Sequence, residues 1–175
     1  EIKNLTLFND KNKFFLKNLK LLKNFKINNF SSFEGNYYNK EGYFNDISIK
    51  KNNNKITLNS NSFDISSNIE KSLKGKSKHK VFDIFENLNS NVNINIKSVK
   101  IDDDHSLKNL KGEVMIIENV IDKANLLGKF DNENYFTYTI KELDGKKVTT
   151  IFSDIAKPFV KKFKFIKGFE DGKLD

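Results

Sequence analysis

Cysteine is absent from this 175-residue chain, which excludes disulfides, thiolate nucleophiles and Cys-held zinc. Tryptophan is absent as well, and proline and methionine occur once each. The basic residues number 31 and every one is Lys; neither Arg nor Gln occurs. Arg reads guanine and grips phosphate bidentately, so a sequence-specific nucleic-acid role lacks its usual instrument. The net charge of +8 therefore reads as a solvated basic face, its lysines scattered along the chain rather than gathered in one block. No apolar run approaches the ~18 residues that cross a bilayer; Val114–Ile117 is among the longest.

Catalytic signatures are equally scarce. Gly75-Lys76-Ser77 has the tail of a phosphate-binding loop, but Glu70 stands where that loop needs its first glycine. Asp102, Asp103, Asp104 and His105 miss the calcium-loop spacing and sit where Asp is favoured as a turn former. His79 and His105 fall in separate predicted loops and belong to no nucleophile-elbow or metalloprotease motif. The sequence thus predicts no enzyme, no cofactor and no metal.

What the chain does have is alternation. Val92, Ile94 and Ile96 alternate with Asn and Lys, then Val99 and Ile101 resume out of phase, which predicts a strand with a bulge at Lys97-Ser98. Strands follow at Leu110–Ile117, around Ala124, Leu126, Gly128 and Phe130, at Phe136–Ile140 and at Val148–Phe152. Glu118-Asn119 reads as a tight reversal, and Asp144-Gly145 is a strong hairpin signal. In the first half, strand-like runs occur at Ile2–Phe8, Phe14–Leu22, Phe25–Phe33, Tyr43–Lys50 and Lys55–Ile65. The polar stretch Asn68–Lys80 follows; then Val81, Ile84, Phe85 and Leu88 fall at helical spacing.

The expected fold is mainly β: an antiparallel meander of about ten strands in two five-strand units, strongly curved into a groove or open barrel, with two short helices. The units are residues 1–90 and 91–175, an internal repeat of roughly ninety residues.

The closing segment predicts the second helix. Ser153 or Asp154 can cap it, and Ala156, Phe159, Val160 and Phe163 share one face. Pro158 is tolerable only near the helix start. Gly168 can end the helix, and Asp171-Gly172 turns the chain into a strand beginning at Lys173-Leu174. A chain that opens on Glu1 and closes one residue into a strand reads as a piece of a longer protein.

The run Ser153-Asp-Ile-Ala-Lys-Pro-Phe-Val-Lys-Lys-Phe-Lys-Phe-Ile-Lys-Gly-Phe-Glu-Asp-Gly-Lys-Leu-Asp175 resembles a segment near the C-terminal part of AsmA-like envelope proteins of the YhdP type. There a small-residue helix leads through a Gly-rich turn into a Gly-x-Leu strand. The strand Val92–Ile101, the run Leu107-Lys-Asn-Leu-Lys-Gly112, the strand pair around Gly128 and a polar hairpin resemble the same family. The similarity covers the last ninety residues or so; the chain departs from it at Phe169, where a second Gly is common, and at Pro158 inside the helix. The resemblance implies a repeating β-groove that carries phospholipid or other lipid acyl chains between inner and outer membranes. It also implies a periplasmic setting, with anchorage to the inner membrane through a region outside this chain, and no nucleic-acid partner.

On that reading Ile94, Ile96, Val114, Ile116, Leu126, Phe130, Phe136, Tyr138 and Ile140 line the groove, and Lys157, Lys161 and Lys162 meet head groups. The alternatives from other classes are a structural or interaction β-domain with a closed core, and a basic anion-binding surface module.

Overall fold

The computed structural model describes residues 1–66, 83–131, 134–163 and 172–173, without the side chains of 161–163. The strands are β1 (Ile2–Phe8), β2 (Lys13–Leu21), β3 (Ile27–Asn29), β4 (Ser32–Tyr38), β5 (Phe44–Asn52), β6 (Lys55–Ser60), β7 (Phe63–Asp64), β8 (Ser90–Lys100), β9 (Ser106–Ile117), β10 (Val120–Lys129), β11 (Tyr135–Leu143) and β12 (Lys146–Ser153). One helix, α1 (Lys157–Phe163), follows. All twelve strands belong to one sheet, ordered β1-β2-β4-β5-β6-β8-β9-β10-β11-β12, with β3 beside β2 and β7 beside β8.

Short, turn-coded connections explain why neighbours in sequence pair. Glu118 (φ 49°) and Asn119 (φ 66°) turn β9 into β10, and Asp144 (φ 51°) and Gly145 (φ 70°) turn β11 into β12. Both two-residue turns have positive φ at each centre, as a hairpin whose twist matches its strands requires. The reversals expected at these two sites are present.

The meander is broken once. Between β6 and β8 the pairing is parallel, Leu58 beside Ile94 and Ile56 beside Val92. Five principal strands lie on either side of this junction. An odd number of antiparallel strands leaves the fifth pointing as the first did, so adding another such group without reversal requires a parallel contact and a crossover. Residues 61–89 are that crossover. The sheet is a single body running past residue 90, where the two units were divided.

A short sequence motif repeats across this arrangement at the expected spacing. Leu16-Lys-Asn-Leu-Lys20 recurs as Leu107-Lys-Asn-Leu-Lys111, ninety-one positions later, in the second principal strand on each side of the junction. Asn18 (φ 50°) and Asn109 (φ 51°) are both left-handed, a conformation Asn tolerates. At the second site the irregularity is a register shift between β9 and β10 around Lys129. The phase change read in β8 therefore has its origin in the neighbouring strand: β8 keeps a constant register with β9 through Ser98 and Val99, so there is no bulge at Lys97-Ser98 itself.

Several expectations need correction. Among the described residues the sheet is open, with β1 and β12 as its unpaired edges, and it is neither closed nor strongly curled. No pairing among the described residues links its ends, which a barrel demands. The predicted strand Phe25–Phe33 is two strands, β3 and β4, because Phe30 leaves the sheet plane to be buried beside Phe85, ring centroids 6.0 Å apart. The helix expected over Val81–Leu88 does not form in its described part, 83–88. There the Ile84 carbonyl accepts from Ile27 N–H (2.7 Å) and Glu86 N–H donates to the Ile27 carbonyl (3.1 Å), so these groups serve a bridge to β3 instead of a helix. Apolar residues at helical spacing also suit an extended crossover that drops side chains onto a sheet. Only one of the two expected helices is present among the described residues. Pro158 is its second residue, where a missing N–H costs nothing.

Asn119 holds this crossover. Its Oδ1 accepts from Leu88 N–H at 2.6 Å and its Nδ2 donates to the Phe85 carbonyl at 3.0 Å. Asn119→Ala leaves a buried N–H unpaired and strains a positive φ, so it should cost about 2–3 kcal/mol, read as a lower urea midpoint. Asn119→Asp keeps the acceptor for Leu88 and should recover part of the loss.

Candidate functional site

Residues paired directly across neighbouring strands point to the same face of a sheet. Following the pairing from one edge to the other gives one row of directly paired residues: Leu5, Leu16, Phe33, Ile49, Leu58, Ile94, Gly112, Leu126, Tyr138 and Ile151. Each principal strand supplies one member. All ten are partly exposed, neither sealed in a core nor fully open to solvent. With strands ~4.8 Å apart the row spans roughly 43 Å. On the opposite face the equivalent row is Asn4, Lys17, Ser32, Lys50, Thr57, Asn93, Glu113, Asn125, Thr139 and Thr150, without one apolar side chain. The Asn- and Lys-rich composition is thus one face of a two-faced sheet.

Buried residues border the row on both sides in the second half. On one side Ile56, Val92, Val114, Ile116, Ala124 and Ile140 form a core with Leu88, and Phe85 packs against it from the crossover. On the other side Ile96, Leu107, Leu110 and Phe136 pack with Phe159 of α1. The Phe159 ring stacks on Phe136 (5.5 Å, 13° between planes) and meets Phe130 edge-on (6.0 Å, 76°). The crossover and the helix therefore cover the two margins, and Leu58, Ile94, Leu126 and Tyr138 lie between them.

The nine apolar residues singled out in sequence all stand on or beside this face. Ile94, Leu126 and Tyr138 are in the row, and Ile96, Val114, Ile116, Phe136 and Ile140 are in the buried margins. Phe130 lies just past the end of β10, packed under the helix margin. Of the three lysines, Lys157 is exposed at the start of α1, and the side chains of Lys161 and Lys162 lie outside the described residues. Sequence reasoning missed the contributions of Leu58, Ile151 and the first-half strands. The exact Leu-Lys-Asn-Leu-Lys recurrence was the available signal that the first half is built on the same plan.

Gly112 interrupts the row. Its φ is 150°, and a Cβ there would lie 1.9 Å from the Asn125 carbonyl oxygen. The backbones of β9 and β10 approach too closely for any side chain, so the apolar row has a notch between Ile94 and Leu126.

Among the polar groups on this face are Asn45, Lys51, Ser60, Ser90 and Tyr138. Burial pushes the Tyr138 phenol above its ordinary value, so it stays neutral across the physiological range. Ser60 Oγ and Ser90 Oγ are buried with no hydrogen-bond partner among the described residues. Ser60 pairs with Ile96 and so faces the same side as the row. Nothing here assembles a nucleophile with a base.

Two other places bring polar side chains together. Asp102, Asp104 and His105 bring their oxygen and nitrogen atoms within 4.8 Å of one another. Asp102 Oδ1 already accepts from the backbone N–H groups of Asp104 (2.9 Å) and His105 (2.7 Å), and the His105 ring lies 2.8 Å away. Burial alone would raise the Asp102 pKa, but these hydrogen bonds outweigh it and hold the carboxyl below its ordinary value. The group is a closed turn. A depression of about 460 Å³ lies chiefly among Asn91, Met115, Lys123, Asn125, Thr139 and Lys141 on the polar face. Val114, Ala124 and Ile140 of the buried margin also line it. No protein-family model matches the chain, and neither a curated protein nor a solved structure matches it.

Proposed function

We propose that this chain is a non-enzymatic lipid-binding module whose ligand is a phospholipid or other acyl chain laid along the apolar row, across the strands. The observation that carries this reading is the ten-residue row itself, apolar side chains from nine of the ten principal strands and Gly112 from the tenth, partly covered along its length. An ordinary core would bury such positions. A row flanked by buried margins leaves a strip of apolar surface that an unbranched chain matches in shape and chemistry. Each methylene removed from water contributes about 0.8 kcal/mol, with no need for a polar constellation to hold it. Neutral Tyr138 offers a hydroxyl near one end of the strip.

The transport setting, a periplasmic segment acting between two membranes, belongs to the same proposal and rests on the resemblance of the closing segment to AsmA-like proteins. The competing reading, a structural β-domain, draws on the two covered margins, which by themselves describe a closed core.

Lipid extracted from the purified chain and identified by mass spectrometry distinguishes the two. The lipid reading expects stoichiometric phospholipid or fatty acid, and uptake of a fluorescent fatty acid that falls at least tenfold in Leu126→Asp with the fold intact by circular dichroism. A chain that purifies free of lipid and takes up no probe is a structural domain.

A further inference from the structure

We propose that the cavity around Lys51 receives the anionic end of the acyl ligand, a carboxylate or a phosphate group. The inference rests on the lipid reading above and adds which end of the ligand lies where.

Lys51 stands where a charge is least expected. It follows Ile49 by two positions in β5 and pairs with Ile56, so its side chain leaves on the apolar face, beside the row. Asn29, Phe30, Phe85, Asn87 and Asn89 join it around a cavity of about 100 Å³. That volume holds roughly three waters, which suits one small oxyanion group rather than a whole ligand. Ile49 and Phe85 pack against the same buried margin, so the cavity adjoins the row.

The ammonium lacks a counter-charge. It donates to Asn29 Oδ1 at 2.7 Å, and no carboxylate pairs with it among the described residues. Glu86, next to Asn87 in the chain, is turned to Lys26 (3.7 Å) and Asn24 (3.2 Å). Burial holds the Lys51 ammonium below its ordinary pKa. A cation drawn toward an apolar face gains from an anion placed against it.

The neighbouring amides are set to donate as well. An ammonium only donates, so the atom that Asn29 turns to Lys51 is its oxygen, and its NH2 group is left over. Glu118 N–H donates to Asn89 Oδ1 (3.0 Å), so Asn89 offers its own NH2 group to Asn87 Oδ1 (2.8 Å). The Asn87 NH2 group is then left over too. Neither remaining NH2 group has a protein acceptor among the described residues. One ammonium and two amide donors suit an oxyanion.

The placement also orients the tail. From Ile49 the row runs through Leu58, Ile94 and Leu126 to Tyr138, five strand spacings or roughly 24 Å. A chain anchored at Lys51 therefore lies over the part of the row flanked by both buried margins.

The test compares a fluorescent long-chain fatty acid with its methyl ester at neutral pH. Both are titrated into the wild-type chain, Lys51→Met and Asn29→Asp, each checked for folding by circular dichroism. Lys51→Met keeps the apolar stem and removes the charge, and Asn29→Asp neutralises the ammonium from within. The wild-type chain should bind the acid roughly tenfold more tightly than the ester, as a charge-assisted contact implies. Either variant should lose the preference and bind the acid as weakly as the wild type binds the ester. Equal binding of acid and ester by the wild type, or a preference that survives in a folded variant, overturns the proposal and leaves the lipid reading standing. A wild-type chain that binds neither probe overturns the lipid reading and this proposal with it. Inorganic phosphate should displace the acid only at millimolar concentration. Displacement at micromolar phosphate assigns the cavity to a free anion and overturns the proposal as well.

Discussion

Gly112→Ala is expected to destabilise the protein by about 3–4 kcal/mol, enough to remove much of the stability of a domain of this size. Two effects add. The positive φ of 150° is a conformation that L side chains rarely adopt, and the Cβ would collide with the Asn125 carbonyl at 1.9 Å. The obstacle is backbone of the paired strand, so no side chain can swing aside. Relief requires β9 and β10 to separate where Gly112 pairs with Leu126, in the middle of the apolar row. Gly145→Ala is the matched control. Its φ of 70° is also positive, but nothing lies within 4 Å of the added carbon. It should cost only about 1–2 kcal/mol of backbone strain. Urea unfolding midpoints of the two variants separate steric conflict from conformational preference, and equal losses would refute the close approach.

Phe159→Ala should cost about 3–5 kcal/mol, the range for truncating a buried aromatic. Phe159 is 4% exposed and joins α1 to the sheet through Phe136 and Phe130. A seven-residue helix has little stability of its own, so its position depends on this contact. Losing the ring removes buried area and the stacking contribution together, and should loosen the cover over Ile96, Leu110 and Phe136. Thermal unfolding should show the lower midpoint, and hydrogen exchange should show faster exchange in α1 than in the hairpin of β11 and β12. Phe25→Ala, at an 83% exposed ring, should change stability by under about 0.5 kcal/mol.

Much of the sheet was legible because alternation is a direct image of a two-faced strand. Val92, Ile94 and Ile96 betray their face against Asn91, Asn93 and Asn95, and the Asp144-Gly145 turn announces its hairpin. The groove candidates were found this way, strand by strand. What alternation does not encode is the order in which strands meet. Nothing local in Lys55–Ser60 says that its second neighbour is Ser90–Lys100, across thirty residues and in parallel. The crossover misled for a related reason. Val81, Ile84, Phe85 and Leu88 have helical spacing, but the described backbone at 84–86 is bonded to Ile27, a tertiary contact with no trace in the pattern. Curvature was likewise beyond reach, since it depends on how strands coil together. Gly112 shows the limit most clearly. It reads in sequence as the end of a Leu-Lys-Asn-Leu-Lys-Gly run, and only the approach of Asn125 gives its reason.

The phase shift in β8 carries a similar lesson. Ile96 and Val99 are both buried although three residues apart, and an extra residue in the same strand was the natural explanation. The irregularity lies in β9, where Asn109 adopts a left-handed conformation and the register with β10 shifts, while β8 keeps a constant register with β9. Asn18 in β2 adopts the same conformation within the same five-residue motif.

The central claim, that an acyl chain occupies the apolar row, is tested most directly by photo-crosslinking. A fatty acid with a diazirine on its chain, bound to the folded protein, irradiated and mapped by peptide mass spectrometry, should label Leu58, Ile94, Leu126, Tyr138 or Ile151. Excess unlabelled fatty acid should abolish the labelling. Labelling confined to the polar face around Asn91, Asn125 and Lys141, or none above the level seen with unfolded protein, would contradict the account.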